Sequence, residues 1–247
     1  MPTSNVVSSH SEMVYSQGST SLAASAATTN GTAVGGSANT LIPTYFNVSS
    51  FNIFINYRAF LAFDLSSLSG TVTGVTLTVF RRTSATSPTL HFLASEASDS
   101  VGTSDYQDGL VGATGYPFTS DVTSFGSQNM NADGGGDGDS VTFTLNSAAV
   151  THANSVIGSG KFKVAIVNEF DLNNTYASSG IGDAFAVQGA YFSSTQHSTS
   201  GLHPVLNVTT ADADAVQGVG NVTLNGAKIQ IVSGKFLIDW YLYQTER

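Results

Sequence analysis

Arg58-Ala-Phe-Leu-Ala-Phe-Asp-Leu-Ser66 and the following Gly74-Val-Thr-Leu-Thr-Val-Phe80 read as two consecutive β-strands joined by a polar Ser/Gly turn region. In the first, Leu61, Phe63 and Leu65 share one parity. In the second, Val75, Leu77 and Val79 do, with Thr76 and Thr78 on the other. Side chains alternate across a strand, so this period of two marks a sheet with one buried and one wetted face.

The same reading extends outward. An aromatic-rich run over residues 41–57 (Tyr45, Phe46, Phe51, Phe54, Tyr57) predicts one or two strands. Thr89–Leu93, Val141–Leu145, Phe162–Val167, Ala184–Phe192 (interrupted by Gly189) and Pro204–Thr209 predict five more. One helix is expected: Asn146 caps it, Ala149, Val150, Ala153, Val156 and Ile157 recur at helical spacing, and Gly158 ends it. The polar stretch 95–140 is too long for a plain connection and is expected to hold short strands or functional loops. The expected architecture is all-β: an antiparallel jelly-roll β-sandwich with one short helix over residues 41–210. Residues 1–40, rich in Ser, Thr, Ala and Gly, read as a low-complexity N-terminal arm, with residues 12–15 as a strand that could enter the sandwich.

After Ala211-Asp-Ala-Asp-Ala215, a linker, residues 211–247 read as a separate C-terminal unit. Lys228–Val232, Ser233-Gly234 and Lys235–Asp239 form a hairpin pattern with a two-residue turn, in which Ile231 faces Phe236, Ile229 faces Ile238 and Lys228 faces Asp239. Trp240, Tyr241, Leu242 and Tyr243 follow. A lone hairpin is marginal in water. Ile229, Ile231, Phe236, Ile238, Trp240 and Leu242 are therefore expected to dock on another surface, and clustered aromatics favour a subunit contact.

Composition narrows the function classes. Charged residues make up 10% of the chain, against roughly 25% in typical domains. The net charge of −9, with only 8 Lys and Arg, argues against nucleic-acid binding and against docking on anionic membranes. With no cysteine, disulfides and thiolate metal sites are excluded. The first ten residues lack the basic and apolar regions of a secretory signal.

Arg58-x-Phe-Leu-x-Phe-Asp-Leu-Ser66 with the Val-Thr-Leu-Thr-Val strand resembles the DNRLRE-type jelly-roll domains. So do Gly189-Ala-Tyr-Phe-Ser-Ser194 and His203-Pro-Val-Leu-Asn-Val208, which are similar to that family's closing strands, and the short helix before Lys161-Phe-Lys-Val-Ala-Ile166. The resemblance covers about residues 12–210. Ser11–Tyr15 and Gly35–Asn39 depart from the family's N-terminal elements, and the C-terminal hairpin lies outside it. Members occur as carbohydrate-binding modules, in cell-surface proteins and in phage structural proteins, so the resemblance implies binding or architecture and carries over no catalytic residue.

Three sets of residues are candidates for chemistry. Asp133, Asp137 and Asp139 sit in a Gly-rich loop whose hard oxygens suit calcium, although the spacing is not that of an EF-hand and a solvated turn is the plainer reading. Tyr106 and Tyr116, on the long polar region, are candidate stacking platforms for a glycan. Histidines 10, 91, 152, 197 and 203 show no paired metal spacing, Gly158-Ser-Gly-Lys161 lacks the first glycine and the Ser/Thr of a phosphate loop, and no Gly-x-Ser-x-Gly elbow exists. Glu169 and Asp171 form a short acidic cluster at a strand end, read as a loop or minor ion site rather than an acid/base pair.

The sequence thus leads to a non-enzymatic structural protein of a virus particle, a phage capsid decoration or tail-associated component. Its terminal extensions would dock on other virion subunits, most simply copies of itself in a homo-oligomer. The alternative is a carbohydrate-binding module or adhesin, calcium-dependent if the Asp loop holds the ion, secreted or at a cell surface.

Overall fold

The computed structural model describes residues 1–18, 31, 33–35, 40–41, 43–48, 53–83, 89–113, 122–130, 136–173, 186–211, 222–224, 227–232 and 235–238. They form an antiparallel β-sandwich with a separate small sheet at the C-terminal end.

The first sheet is built on β7 (Thr71–Thr83). On one side β7 pairs with β14 (Val205–Ala211) and with β13 (Tyr191–Ser193); on the other it pairs with β10 (Ser140–Thr144). β1 (Thr3–Val7) adds to β14, and β4 (Thr40–Leu41) adds to β13. The second sheet is built on β6 (Ile53–Asp64). It pairs with β2 (His10–Gly18), β5 (Thr44–Val48) and β11 (Lys161–Asn168). Outward from these lie β3 (Ala33–Gly35), β8 (Thr89–Ala94), β9 (Ser124–Asn129) and β12 (Ala186–Gly189).

The core is the set of inward parities that the sequence picks out. Leu61, Phe63 and Leu65 meet Val75, Leu77 and Val79, joined by Phe92, Phe125, Phe143, Phe162, Phe192, Leu206 and Val208, all at most 2% exposed. Each such side chain contributes roughly 1.5–3 kcal/mol on burial. The helix expected after Asn146 is present as Ser147–Val156. The Asn146 carboxamide oxygen accepts from Ala148 N and Ala149 N, Ala149 and Ala153 are buried in the core, and Gly158 adopts a φ of 77° just beyond the end. That left-handed conformation strains any residue with a Cβ.

Two expectations are corrected and a third is extended. Residues 1–18 are not an arm, and the strand expected at residues 12–15 lies within a longer one, β2. β1 lies in one sheet, β2 forms a nine-residue ladder with β6 in the other, and the chain crosses between the sheets at Ser8 and Ser9. Ser/Thr/Asn-rich sequence conceals this because such residues are also good strand-surface residues once a partner supplies the ladder. Ala184–Phe192 is not one strand. β12 belongs to the second sheet and β13 to the first, and the chain changes sheet around Gly189 and Ala190. The C-terminal hairpin is part of a three-stranded sheet, because β15 (Val222–Leu224) pairs with β16 (Ala227–Val232), which pairs with β17 (Lys235–Ile238).

The largest departure concerns β6, whose outer face is covered. Phe60 and Ala62 are 2% and 5% exposed, and Arg58 is 0% exposed. A second cluster covers them: Val14, Leu93, Ala97, Val101, Tyr106, Leu110, Ala165, Val167 and Leu172. The cover is the segment 95–113, which contains helix α1 (Asp105–Asp108), together with a short helix, Glu169–Asn173. A Cβ on Gly109 would lie 2.6 Å from the Asp105 carbonyl oxygen, so the turn that ends α1 requires glycine, and 3.1 Å from Phe60 Cε1, a tight contact with the sheet below.

Candidate functional site

The outer layer on β6 is organised by one buried polar group. Arg58 projects from the strand on the same parity as Phe60. Its Nε donates to Asp171 Oδ2 at 2.6 Å and its Nη2 to Asp171 Oδ1 at 2.8 Å, a bidentate pair with both side chains 0% exposed. Nη1 donates to the Tyr106 carbonyl, and the guanidinium carbon lies 3.8 Å from the Tyr106 ring centroid. The Tyr106 hydroxyl accepts from Asn56 Nδ2 at 2.8 Å, and Asp171 N donates to Asn168 Oδ1 at 2.9 Å. The fork of Arg suits a carboxylate in two-point contact, and burial without such pairing would be prohibitive.

The rest of the covering segment is held by charge-assisted bonds near the surface. Val101 N donates to Glu12 Oε2 at 3.0 Å, Lys163 Nζ to Ala97 O at 2.6 Å and Lys161 Nζ to Asp99 Oδ2 at 2.6 Å. The hydrogen bonds from Lys161 and Lys163 hold the Asp99 carboxyl below its usual range. Asp105 accepts from Gly102 N at 2.7 Å and from Ser98 Oγ at 3.1 Å, closing the turn before α1.

These contacts decide one of the expected sites. Tyr106 is not an exposed stacking platform: it is 0% exposed, with its ring under the Arg58 guanidinium, and presents no face to a sugar. The sequence context misleads because the segment is polar on average, while Ala97, Val101, Tyr106 and Leu110 all turn inward. Tyr116 lies outside the described residues. So does Asp133 of the expected calcium set. Asp137 and Asp139 lie on the tight approach to β10. Asp139 Oδ2 accepts from Gly136 N at 2.6 Å. Asp137 Oδ1 is 3.6 Å from Arg82 Nη1, which also lies 2.9 Å from His197 Nε2. Among the described residues no group of three or more His, Asp or Glu side chains is placed to share a metal ion.

The expected docking residues fall partly within the described backbone. The register pairs Ile231 with Phe236 and Ile229 with Ile238, as the alternation requires, and Val232 pairs with Lys235. Val222 pairs with Ile229 and Leu224 with Ala227 on the added strand. Directly opposed residues share a face, so the register puts Val222, Leu224, Ala227, Ile229, Ile231, Phe236 and Ile238 on one face and Thr223, Lys228, Gln230, Val232, Lys235 and Leu237 on the other. Trp240, Leu242 and the Asp239 end of the expected Lys228 pair lie outside the described residues.

The wetted face of the first sheet has a distinct chemistry. Thr78 and Thr142 hydroxyls are 3.0 Å apart, and Asn207 Nδ2 donates to Thr76 Oγ1 at 3.2 Å and to Thr78 Oγ1 at 3.3 Å. At its end a groove of about 420 Å3 is lined by Thr73, Gly74, Thr144, Asn146, Ser147 and Thr209, none of them ionisable.

Arg58 and Asp171 are the residues that sequence reasoning missed. The signal was available for Arg58: Ala59-Phe-Leu-Ala-Phe63 is apolar at both parities, the mark of a strand buried on both faces. An arginine in that run must find a buried anion. Nothing local identifies Asp171 as that anion.

Among the described residues no helix is long and apolar enough to cross a membrane. No family model matches the chain, and no curated protein matches it either. What the chain can be said to be is therefore its architecture: an all-β, jelly-roll-like sandwich of two antiparallel sheets.

Proposed function

We propose that this chain is a non-enzymatic structural subunit of a virus particle, with the sandwich as its body and the C-terminal sheet as the element that docks on a neighbouring copy. The observation that carries the reading is the third sheet. Among the described residues it shares no strand pairing with the sandwich sheets, and its register gathers seven apolar residues on one face against Val232 and Leu237 on the other. Three strands with one apolar face need a surface to cover that face. Charge favours the acidic body of another copy. Residues 222–238 contain Lys228 and Lys235 and no acidic residue, +2, so the remainder of the −9 chain carries −9 − 2 = −11. The virion setting rests on the motif resemblance and on the weakly charged, Ser/Thr/Asn-rich composition. The N-terminal segment is not the loose docking arm expected from the sequence, since β1 and β2 pair within the sandwich. The glycan reading loses Tyr106.

Light scattering on the full chain, with proteomics of purified particles, tests this. The expected result is an oligomer that copurifies with particles and falls in mass in an Ile231→Asp/Phe236→Asp variant. A wild-type chain absent from particles, or an oligomer indifferent to those substitutions, overturns it.

A further inference from the structure

β1 ends the first sheet, and among the described residues no strand pairs with its far side. Which of its backbone groups face that side follows from the register. Thr210 N donates to Pro2 O at 3.0 Å and Ser8 N donates to Pro204 O at 2.8 Å, in phase with the Thr3–Thr209 to Val7–Val205 ladder. Hydrogen-bonded and non-hydrogen-bonded pairs alternate along an antiparallel ladder. The even-numbered residues therefore spend their N–H and C=O on β14, and Thr3, Asn5 and Val7 direct theirs to the open side.

The devices that normally protect such an edge are missing here. β9 carries a bulge, with Gly126 at a φ of 130°, and β10 is entered through Asp137 and Asp139. By contrast residues 1–9 carry no charged side chain, the β1 ladder is unbroken, and Pro2 lies outside the strand. The exposed large apolar side chains among the described residues are Met1 and Val7, 88% and 50% exposed, and both flank this edge.

The geometry points to a self-complementary interface: a second copy of this chain adds its own β1 antiparallel to this one, with Asn5 opposite Asn5 across a two-fold axis. In that register Thr3 meets Val7 and Val7 meets Thr3, and each outward N–H finds an outward C=O, six backbone hydrogen bonds by symmetry. A two-fold contact uses the same patch twice, which an edge centred on one residue satisfies. The edge is neutral and bordered by the neutral Asn207 and Thr76 row, so the net charge of −9 is not concentrated where the copies meet. An edge of this length falls in the small, weak class of interfaces, which sets the affinity in the micromolar range.

Sedimentation velocity of the full chain from about 1 to about 200 µM tests the proposal in wild type and in the Ile231→Asp/Phe236→Asp background, where the C-terminal sheet no longer contributes. The expected result is a monomer–dimer equilibrium in the C-terminal variant and at least that much association in wild type, with the Thr3, Asn5 and Val7 amides of both gaining protection from exchange as concentration rises. Asn5→Pro removes an outward N–H and no bond to β14, and Val7→Lys places a charge at the edge. Each weakens the dimer by about tenfold or more, with an unchanged circular dichroism spectrum. If Asn5→Pro fails to fold, Val7→Lys decides alone. A chain monomeric throughout the C-terminal variant background, or a dimer equally strong in both edge variants, overturns the proposal, and the latter leaves the C-terminal docking reading untouched.

Discussion

The two sheets share a core but treat their outer faces in opposite ways. On β7, Thr76 and Thr78 stand in water and bond to Thr142 and Asn207. On β6, Arg58, Phe60 and Ala62 lie under the 95–113 segment and the Glu169–Asn173 helix. Alternating polarity needs no cover, whereas apolar residues at both parities require one, and a charge among them requires a partner inside that cover. The described sandwich thus has three layers: the β7 sheet, the β6 sheet and a cover on the outer face of β6 alone.

The strongest way to break this contrast is at the buried pair. Asp171→Ala removes the carboxylate that the buried Arg58 guanidinium forks onto, and is expected to cost about 3–5 kcal/mol in denaturant unfolding. Arg58→Met/Asp171→Leu together should recover most of that loss. Equal losses in the single and double variants would mean that the ion pair is not what the cover is built on.

A matched pair of truncations sharpens the comparison further. Phe60→Ala on the covered face is expected to cost about 3–5 kcal/mol, as for other buried aromatics. Thr76→Ala on the wetted face should cost about 0.5 kcal/mol. Similar costs at the two positions would erase the distinction between the faces.

The smallest effect concerns acid. His152, on the capping helix, packs 5.5 Å from the Phe125 ring and 5.3 Å from Phe162, and its half-burial lowers its pKa. The unfolded chain takes up that proton near pH 6.5 while the folded chain resists it. Stability is therefore complete above that pH and declines as the pH falls toward the lower folded value. Chemical denaturation between about pH 7.5 and 5 should show this decline, shallower in His152→Gln. His91, also half-buried with a lowered pKa, keeps some slope in the variant. An unchanged slope in His152→Gln would assign the acid sensitivity elsewhere.

Much of the sandwich was legible in the chain because period-two alternation is a local property. Val75-Thr-Leu-Thr-Val79, Val141–Thr144 and the Asn146-capped helix each fall where their own residues place them. The Ile229–Ile238 and Ile231–Phe236 register was legible for the same reason. The burial of Tyr106 was not, because exposure is not a property of a short segment. Tyr106 sits in polar sequence yet meets Arg58, 48 residues away.

Local pattern by itself determined an all-β chain, the inward parity of its central strands, its single substantial helix and the pairing phase of its C-terminal strands. Tertiary structure alone decided that residues 1–18 complete both sheets, that β12 and β13 part into different layers, and that Arg58 finds Asp171, 113 residues distant. The physical reason is that hydrophobic periodicity states which face of a strand avoids water, whereas the partner that covers the face, or neutralises a charge on it, is chosen by packing between segments far apart in sequence.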